Sequence, residues 1–235
     1  MANSIFWAGR SWVQLTSRSA GSILMGRNYM PAFWPARWSD PFYFAGVGQL
    51  GGTMFADFAT ASGGTRNPNM ISYKTPKAGG FSLLAAVGLG EGGAGRDQGM
   101  NVEYAGGPVY GAIGYEKIAN GTAALNNNSV LNAALHYDFK FIKPMLYVSR
   151  SKTGGGRLSN EYVSLAAAAP LGSGSVKMAV GRFDPAGVNN TQTKLGLGYD
   201  YYLSKRTWIY ADSGFGREDS KSSNRAYAIG MRHHF

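Results

Sequence analysis

Leu195, Leu197, Tyr199 and Tyr201 alternate along the chain with Lys194, Gly196, Gly198 and Asp200. A period of two sends apolar side chains to one face of an extended strand and small or polar ones to the other. After a break at Leu203-Ser204 a second run covers about 205–215, and a polar loop over 216–224 leads to a third run that ends at Phe235. Counting back from that end, Phe235, His233, Met231, Ile229 and Tyr227 share one face, and His234, Arg232, Gly230, Ala228 and Ala226 share the other. A soluble sandwich seldom ends on a strand whose final residue is aromatic. A transmembrane barrel does so routinely, because that strand closes the ring and carries aromatic residues at the membrane interface. The alternative at this point is a pair of amphipathic hairpins in a secreted β protein.

Composition narrows the choice. Charged residues are 15% of the chain, against about a quarter in soluble domains. Hydrophobic residues are 44%, yet no stretch approaches the roughly 18 to 20 apolar residues a spanning helix needs. Aromatics at 13% and 34 glycines against 9 prolines complete the profile of a strand-built membrane protein. Cysteine is absent, which removes thiol chemistry and disulfides, and His136, His233 and His234 are too few and too badly spaced for a metal site. The net charge of +10 suggests nucleic acid at first sight. Nucleic-acid binding wants clustered cations, however, and the 23 Lys and Arg are spread with no run longer than Lys205-Arg206.

Further strands are expected along the chain. Residues 5–16 alternate Phe6, Ala8, Arg10, Trp12 and Gln14 against Trp7, Gly9, Ser11, Val13 and Leu15, and a turn at 17–19 leads to a strand over 20–27. Residues 28–65 read as a loop, with Pro31, Pro35 and Pro41, many aromatics and a Gly-rich GVGQLGG. That aromatic density argues for a packed loop rather than disorder. Strands are then expected over 68–74, 80–89, 99–105, 108–117, 129–139, 140–150, 160–168, 173–183 and 193–202, before the two final ones, giving thirteen. Around 208–212 the alternation is poor and the outward face stays unassigned. GLGEGG at 88–93 satisfies a dinucleotide-type glycine pattern, but AGRDQ and a strand follow it where a helix is needed. No G-x-S-x-G elbow occurs, and His136 lies inside a strand pattern. No catalytic residue and no cofactor are expected.

GYDYYLSKRTWIYAD followed by the terminal YAIGMRHHF closely resembles the end of the general porins of Gram-negative outer membranes, in their β-proteobacterial form. SILMGRNYMPAFWPARWSDPF resembles the porin segment in which a strand ends in a Gly-Arg pair and runs into the loop that folds inside the barrel. The resemblance covers nearly the whole chain. It implies an all-β, antiparallel transmembrane β-barrel of the sixteen-stranded porin type, about thirteen strands being present, with 1–235 as one barrel domain and 28–65 as its constriction loop. That first Gly-Arg strand is about the fifth in the family. The signal peptide and roughly the first three strands are therefore expected to be missing, and the first strand, near Ile5, is expected to lack its usual pairing. Consistently, the opening residues hold Arg10 and Arg18 and no apolar core of export-signal length.

The resemblance also implies function. The expected activity is passive diffusion of small hydrophilic solutes and ions through a water-filled outer-membrane channel, in a homotrimer surrounded by lipid. The alternatives are a non-conducting surface or adhesion barrel, an inactive porin fragment, and a substrate-specific channel. Arg27, in MGRNY, matches the family's Gly-Arg pair, and Arg66, in GGTRNPN, resembles the next wall arginine. Asp57, with Asp40, resembles the opposing loop acid, although the family's loop usually carries more acid. Arg10 is expected to face the lumen because a lipid-facing arginine is costly. Lys74, Glu103, Glu116 and Lys177 are expected to line it too. Phe235, with His233, Met231, Ile229 and Tyr227, looks like the family's signal for the barrel-assembly machinery. Five arginines (10, 18, 27, 37 and 66) against two aspartates in residues 1–66 predict an anion preference.

Overall fold

Period-two sequence becomes strand-to-strand pairing throughout the computed structural model, which describes residues 9–54, 65–90, 95–119, 126–219 and 221–234. The early strands are β1 (Ser11–Ser17), β2 (Gly21–Tyr29), β3 (Arg66–Lys74), β4 (Phe81–Gly88), β5 (Arg96–Gly106) and β6 (Val109–Ala119). They continue as β7 (Ser129–Tyr137), β8 (Lys143–Thr153), β9 (Leu158–Leu171) and β10 (Gly174–Asp184). The last three are β11 (Gln192–Tyr202), β12 (Thr207–Glu218) and β13 (Lys221–His233). All thirteen form one sheet in chain order, each antiparallel to the next. The strands expected from sequence are present, with ends moved by a few residues. Of the first expected strand, residues 5–8 lie outside the described residues.

The sheet is apolar outside and polar inside. On β9, Val163 and Leu165 are exposed, and Leu165 sits between Leu146 on β8 and Val180 on β10. Between them Ser164 is buried, opposite Tyr147 and Gly181. The same inversion recurs across the sheet. Ile113, Leu131, Val148 and Met178 are exposed, whereas Asn101, Asn132, His136 and Lys177 are buried. A water-soluble sheet would hide the first set, so the outer face is made for lipid. The face that could not be assigned from sequence is now fixed: Asp212 is buried on the inner side, and Ile209 is exposed.

Tight connections join β5 to β6 and β9 to β10, where Gly107 and Gly172 take positive φ (54° and 57°). At this end of the sheet stand exposed aromatics, among them Tyr73, Phe81, Tyr137, Phe139, Phe141 and Tyr202. Such a band suits the membrane interface. Among the described residues β1 and β13 pair only with β2 and β12, and no ladder joins them. Both edges are bare on both faces, with the whole of β1 and the first half of β13 exposed.

The outward assignment is testable. Leu165→Arg places a cation on the apolar face midway along β9, and lipid-facing Arg near the midplane costs about 2–4 kcal/mol. Denaturant unfolding of the protein in lipid vesicles should show a loss of that size, and an unchanged midpoint would contradict the inside–outside assignment.

Candidate functional site

Between β2 and β3 the chain leaves the wall and folds over its inner face. The sequence foresees this loop but not its two short helices, α1 (Phe33–Trp38) and α2 (Gly51–Met54). Prolines at 31 and 35 remove two backbone donors, and wall side chains bond carbonyls of the same stretch. Asn101 on β5 donates to Pro31 O at 2.8 Å, and Asn132 on β7 donates to Ala32 O at 2.7 Å. Ser39 donates to Pro35 O and lies 2.9 Å from His136 Nε2 on β7. Aromatic packing stiffens the same stretch: Phe33 stacks on Tyr29 at 3.6 Å and meets Phe44 edge-on.

On the far side the loop lies directly against β11 and β12. A Cβ on Gly196 would run into the carbonyl of Gly48, and one on Gly214 into that of Val47. The loop therefore needs glycine at both wall positions, because a backbone oxygen cannot swing aside. Phe42 is buried here, and the Lys177 ammonium stands 4.7 Å from its ring centre. Lys177 bonds Asp200 at 2.6 Å and Asp212 at 3.3 Å, and Arg232 lies 3.9 Å from Asp212. Lys177 is only 3% exposed, so this cluster braces the loop rather than meeting solvent.

The expected site residues separate in the structure. Asp40 is no opposing pole. It is fully buried and accepts the backbone N–H groups of Phe42 (3.0 Å), Phe44 (3.2 Å) and Leu50 (2.9 Å). Burial pushes its carboxyl above the usual value, against the pull of those three donors and of Lys194. Asp57 lies outside the described residues. Arg27 is half-buried opposite Ser11, at the irregularity between Gly26 and Asn28 in the β2–β3 pairing. Arg66 donates to the Tyr29 hydroxyl and lies over the same ring at 4.4 Å, which ties it to the loop's root.

Arg10 does sit on the inner side, with its Nε donating to Asn28 Oδ1 at 2.8 Å and its guanidinium 5.6 Å from the Trp34 ring. Lys74 also lies inside, 3.4 Å from Glu103, and Glu116 is buried in the inner wall. On β13, Tyr227, Ile229 and Met231 are all exposed on one face, and His233 Nδ1 lies 2.9 Å from the Thr207 hydroxyl. Phe235 lies outside the described residues.

A family model described as Gram-negative porin matches residues 2–221. The chain belongs to the Gram-negative porin family. It is 30% identical over 240 residues to outer membrane porin protein 32 of Delftia acidovorans, covering 94% of this chain and 67% of that one. An anion-selective porin from Comamonas acidovorans superposes with a TM-score of 0.83 at 26% identity, over 96% of this chain and 77% of that chain. OmpT of Vibrio cholerae, in a trimer form, shares the fold at a TM-score of 0.66 and 16% identity, over 91% and 76%. This porin is therefore an outer-membrane β-barrel protein, and porins are channels for passive diffusion.

The loop's seat can be attacked from within and from the wall. Asp40→Ala strands three buried N–H groups, each costing about 1–3 kcal/mol, and Gly196→Leu forces the loop off β11. Both should expose residues 30–54 to limited proteolysis in folded protein. Asp40→Asn, which keeps one acceptor oxygen, should do so less. Equal protection in all of them would show that the seat does not depend on these contacts.

Proposed function

We propose that this porin forms a water-filled, anion-preferring pore for small hydrophilic solutes, narrowed by the loop of residues 28–65. One observation carries the anion preference. On the inner face the acids Asp40, Asp97, Glu116, Asp200 and Asp212 are buried, whereas Arg10 and Lys74 are exposed. Among the described residues of the inner wall, a permeating ion therefore meets water-facing Arg10 and Lys74, while these acids are buried and half-buried Glu103 is held by Lys74 and Tyr110. Wall charges of one sign concentrate counter-ions in a narrow low-dielectric passage. The anion-selective title of the Comamonas acidovorans porin supports the same reading.

Family membership supports a homotrimer in the outer membrane. It also supports recognition of the final strand by the barrel-assembly machinery, through Phe235 and the face it shares with His233, Met231, Ile229 and Tyr227. Deleting Phe235 from a version carrying an export signal should lower the amount of heat-modifiable, membrane-inserted protein. Equal amounts with and without it would remove that assignment.

Selectivity is measured as the reversal potential in planar bilayers under a KCl gradient. The parent should prefer chloride. The preference should weaken as salt rises, because the screening length falls from about 8 Å at physiological salt to about 3 Å at 1 M. Arg10→Ser with Lys74→Ser should move the reversal potential toward the cation side, since it also leaves Glu103 without its 3.4 Å partner. Asp40→Asn should change it little. A cation-selective parent, or a double variant identical to it, would refute the proposal.

A further inference from the structure

Between the loop and the inner wall of β1 to β5 lies a cleft of about 230 Å³. A dry cavity of about 150 Å³ suffices for a benzene ring, so this one takes a ring with a small substituent. Its sides differ in chemistry. One is aliphatic, made by Leu24, Met70, Leu84 and Ala86. The other is aromatic, made by Trp34 and Trp38, whose rings stack 5.9 Å apart at 26°. Arg10 and Lys74 complete the lining together with Glu103. Both tryptophan rings are held in place by edge-on contacts, Trp34 with Tyr29 and Phe33 and Trp38 with Tyr43, and both line the cleft.

Charge decides between ring-bearing ligands. Glu103 is engaged twice, by Lys74 at 3.4 Å and by the Tyr110 hydroxyl at 3.0 Å. Arg10 is fixed differently: Asn28 holds its Nε at 2.8 Å. That leaves the Nη edge of the fork as the side that can meet a carboxylate bidentately. Its guanidinium is 5.6 Å from the Trp34 ring, so a carboxylate on Arg10 brings an attached ring to the tryptophans. A cationic ligand would be repelled by Arg10 and Lys74, and an aliphatic acid would forgo the ring contacts. From this juxtaposition we infer that the cleft is a binding subsite for small aromatic monocarboxylates, recognised by Trp34, Trp38 and Arg10 on their way through the pore. The inference rests on the reading of this porin as an anion-preferring channel.

Two readouts separate the subsite from the channel. Protein folded in detergent micelles is titrated with sodium benzoate by calorimetry, and the same protein in planar bilayers is tested for saturable block of the chloride current. Benzoate should bind roughly tenfold more tightly than cyclohexanecarboxylate or propionate, and benzamide should bind weakly for want of charge. Trp34→Leu with Trp38→Leu should erase the preference for benzoate over cyclohexanecarboxylate, with block scaled to each variant's own open current. Arg10→Ser should weaken both carboxylates, and Arg10→Lys should restore part of the loss. If the double tryptophan variant fails to show heat-modifiable folding, the ligand series and the Arg10 variants decide. Micellar binding of benzoate with that preference, in a protein that carries no current, would keep the subsite and remove the channel reading. A conducting channel that binds no benzoate, or binds it no better than cyclohexanecarboxylate, overturns the subsite.

Discussion

Backbone hydrogen bonding between neighbouring strands is the constraint from which the rest of this structure follows. Inside a bilayer no water is available to an unpaired N–H or C=O, and each such group costs several kcal/mol. Twelve antiparallel ladders meet that demand between β1 and β13. Because the ladders consume the backbone, side chains are free to sort by face alone, which is why Leu165 can be exposed while Ser164 beside it is buried. The same constraint bears on the two edges. In the described residues β1 and β13 offer unpaired backbone groups, so any membrane-inserted form has to supply both with strand partners.

A wall saturated in this way has polar side chains to spare on its inner surface, and the loop uses them. Asn101 and Asn132 bond loop carbonyls at the start of α1, those of Pro31 and Ala32. The loop reciprocates by folding its own acid inward, where Asp40 organises three backbone donors. A residue type that reads as a selectivity charge has thus become a structural one. Among the described residues of the inner wall, the charges left exposed are Arg10 and Lys74. The selectivity of such a pore is set as much by which charges are buried as by which are present.

Most of the fold was legible because strand period is a local property. Runs such as Phe81, Leu83, Ala85 and Val87 declare a strand without reference to any neighbour. Faces were legible wherever one side was uniformly apolar, as in Tyr227, Ile229 and Met231. They were illegible at Trp208–Asp212, where Tyr210 and Asp212 look inward to Arg232 and Lys177, partners known only once β10, β12 and β13 are aligned. The site was harder for the same reason. Arg27 matched a motif, yet its orientation depends on register with Ser11 and on Gly26, at φ 125°, beside a shift in the β2–β3 pairing. Asp40 and Asp57 are equivalent as letters. Only the turn through Phe42, Phe44 and Leu50 shows that Asp40 is committed elsewhere. Arg10 was placed inside by cost alone, and its Asn28 contact agrees.

The loop's route also decides where open space survives in the lumen. It runs from the end of β2 to β11 and β12, and there the wall is smoothed by Gly196, Gly198 and Gly214, so loop backbone replaces side chain in that half. In that half Lys177 is shut beneath Phe42 and paired with two aspartates, and Lys194 is half-buried near Asp40. Along β1 to β5 open space lies beside exposed Arg10 and Lys74 and beside Trp34 and Trp38. On the proposed reading, a solute crossing this lumen is steered to the cations by the same geometry that brings it to the aromatic rings. Selection by charge and selection by shape are then two properties of one surface, and both depend on glycines at the far wall that touch no solute.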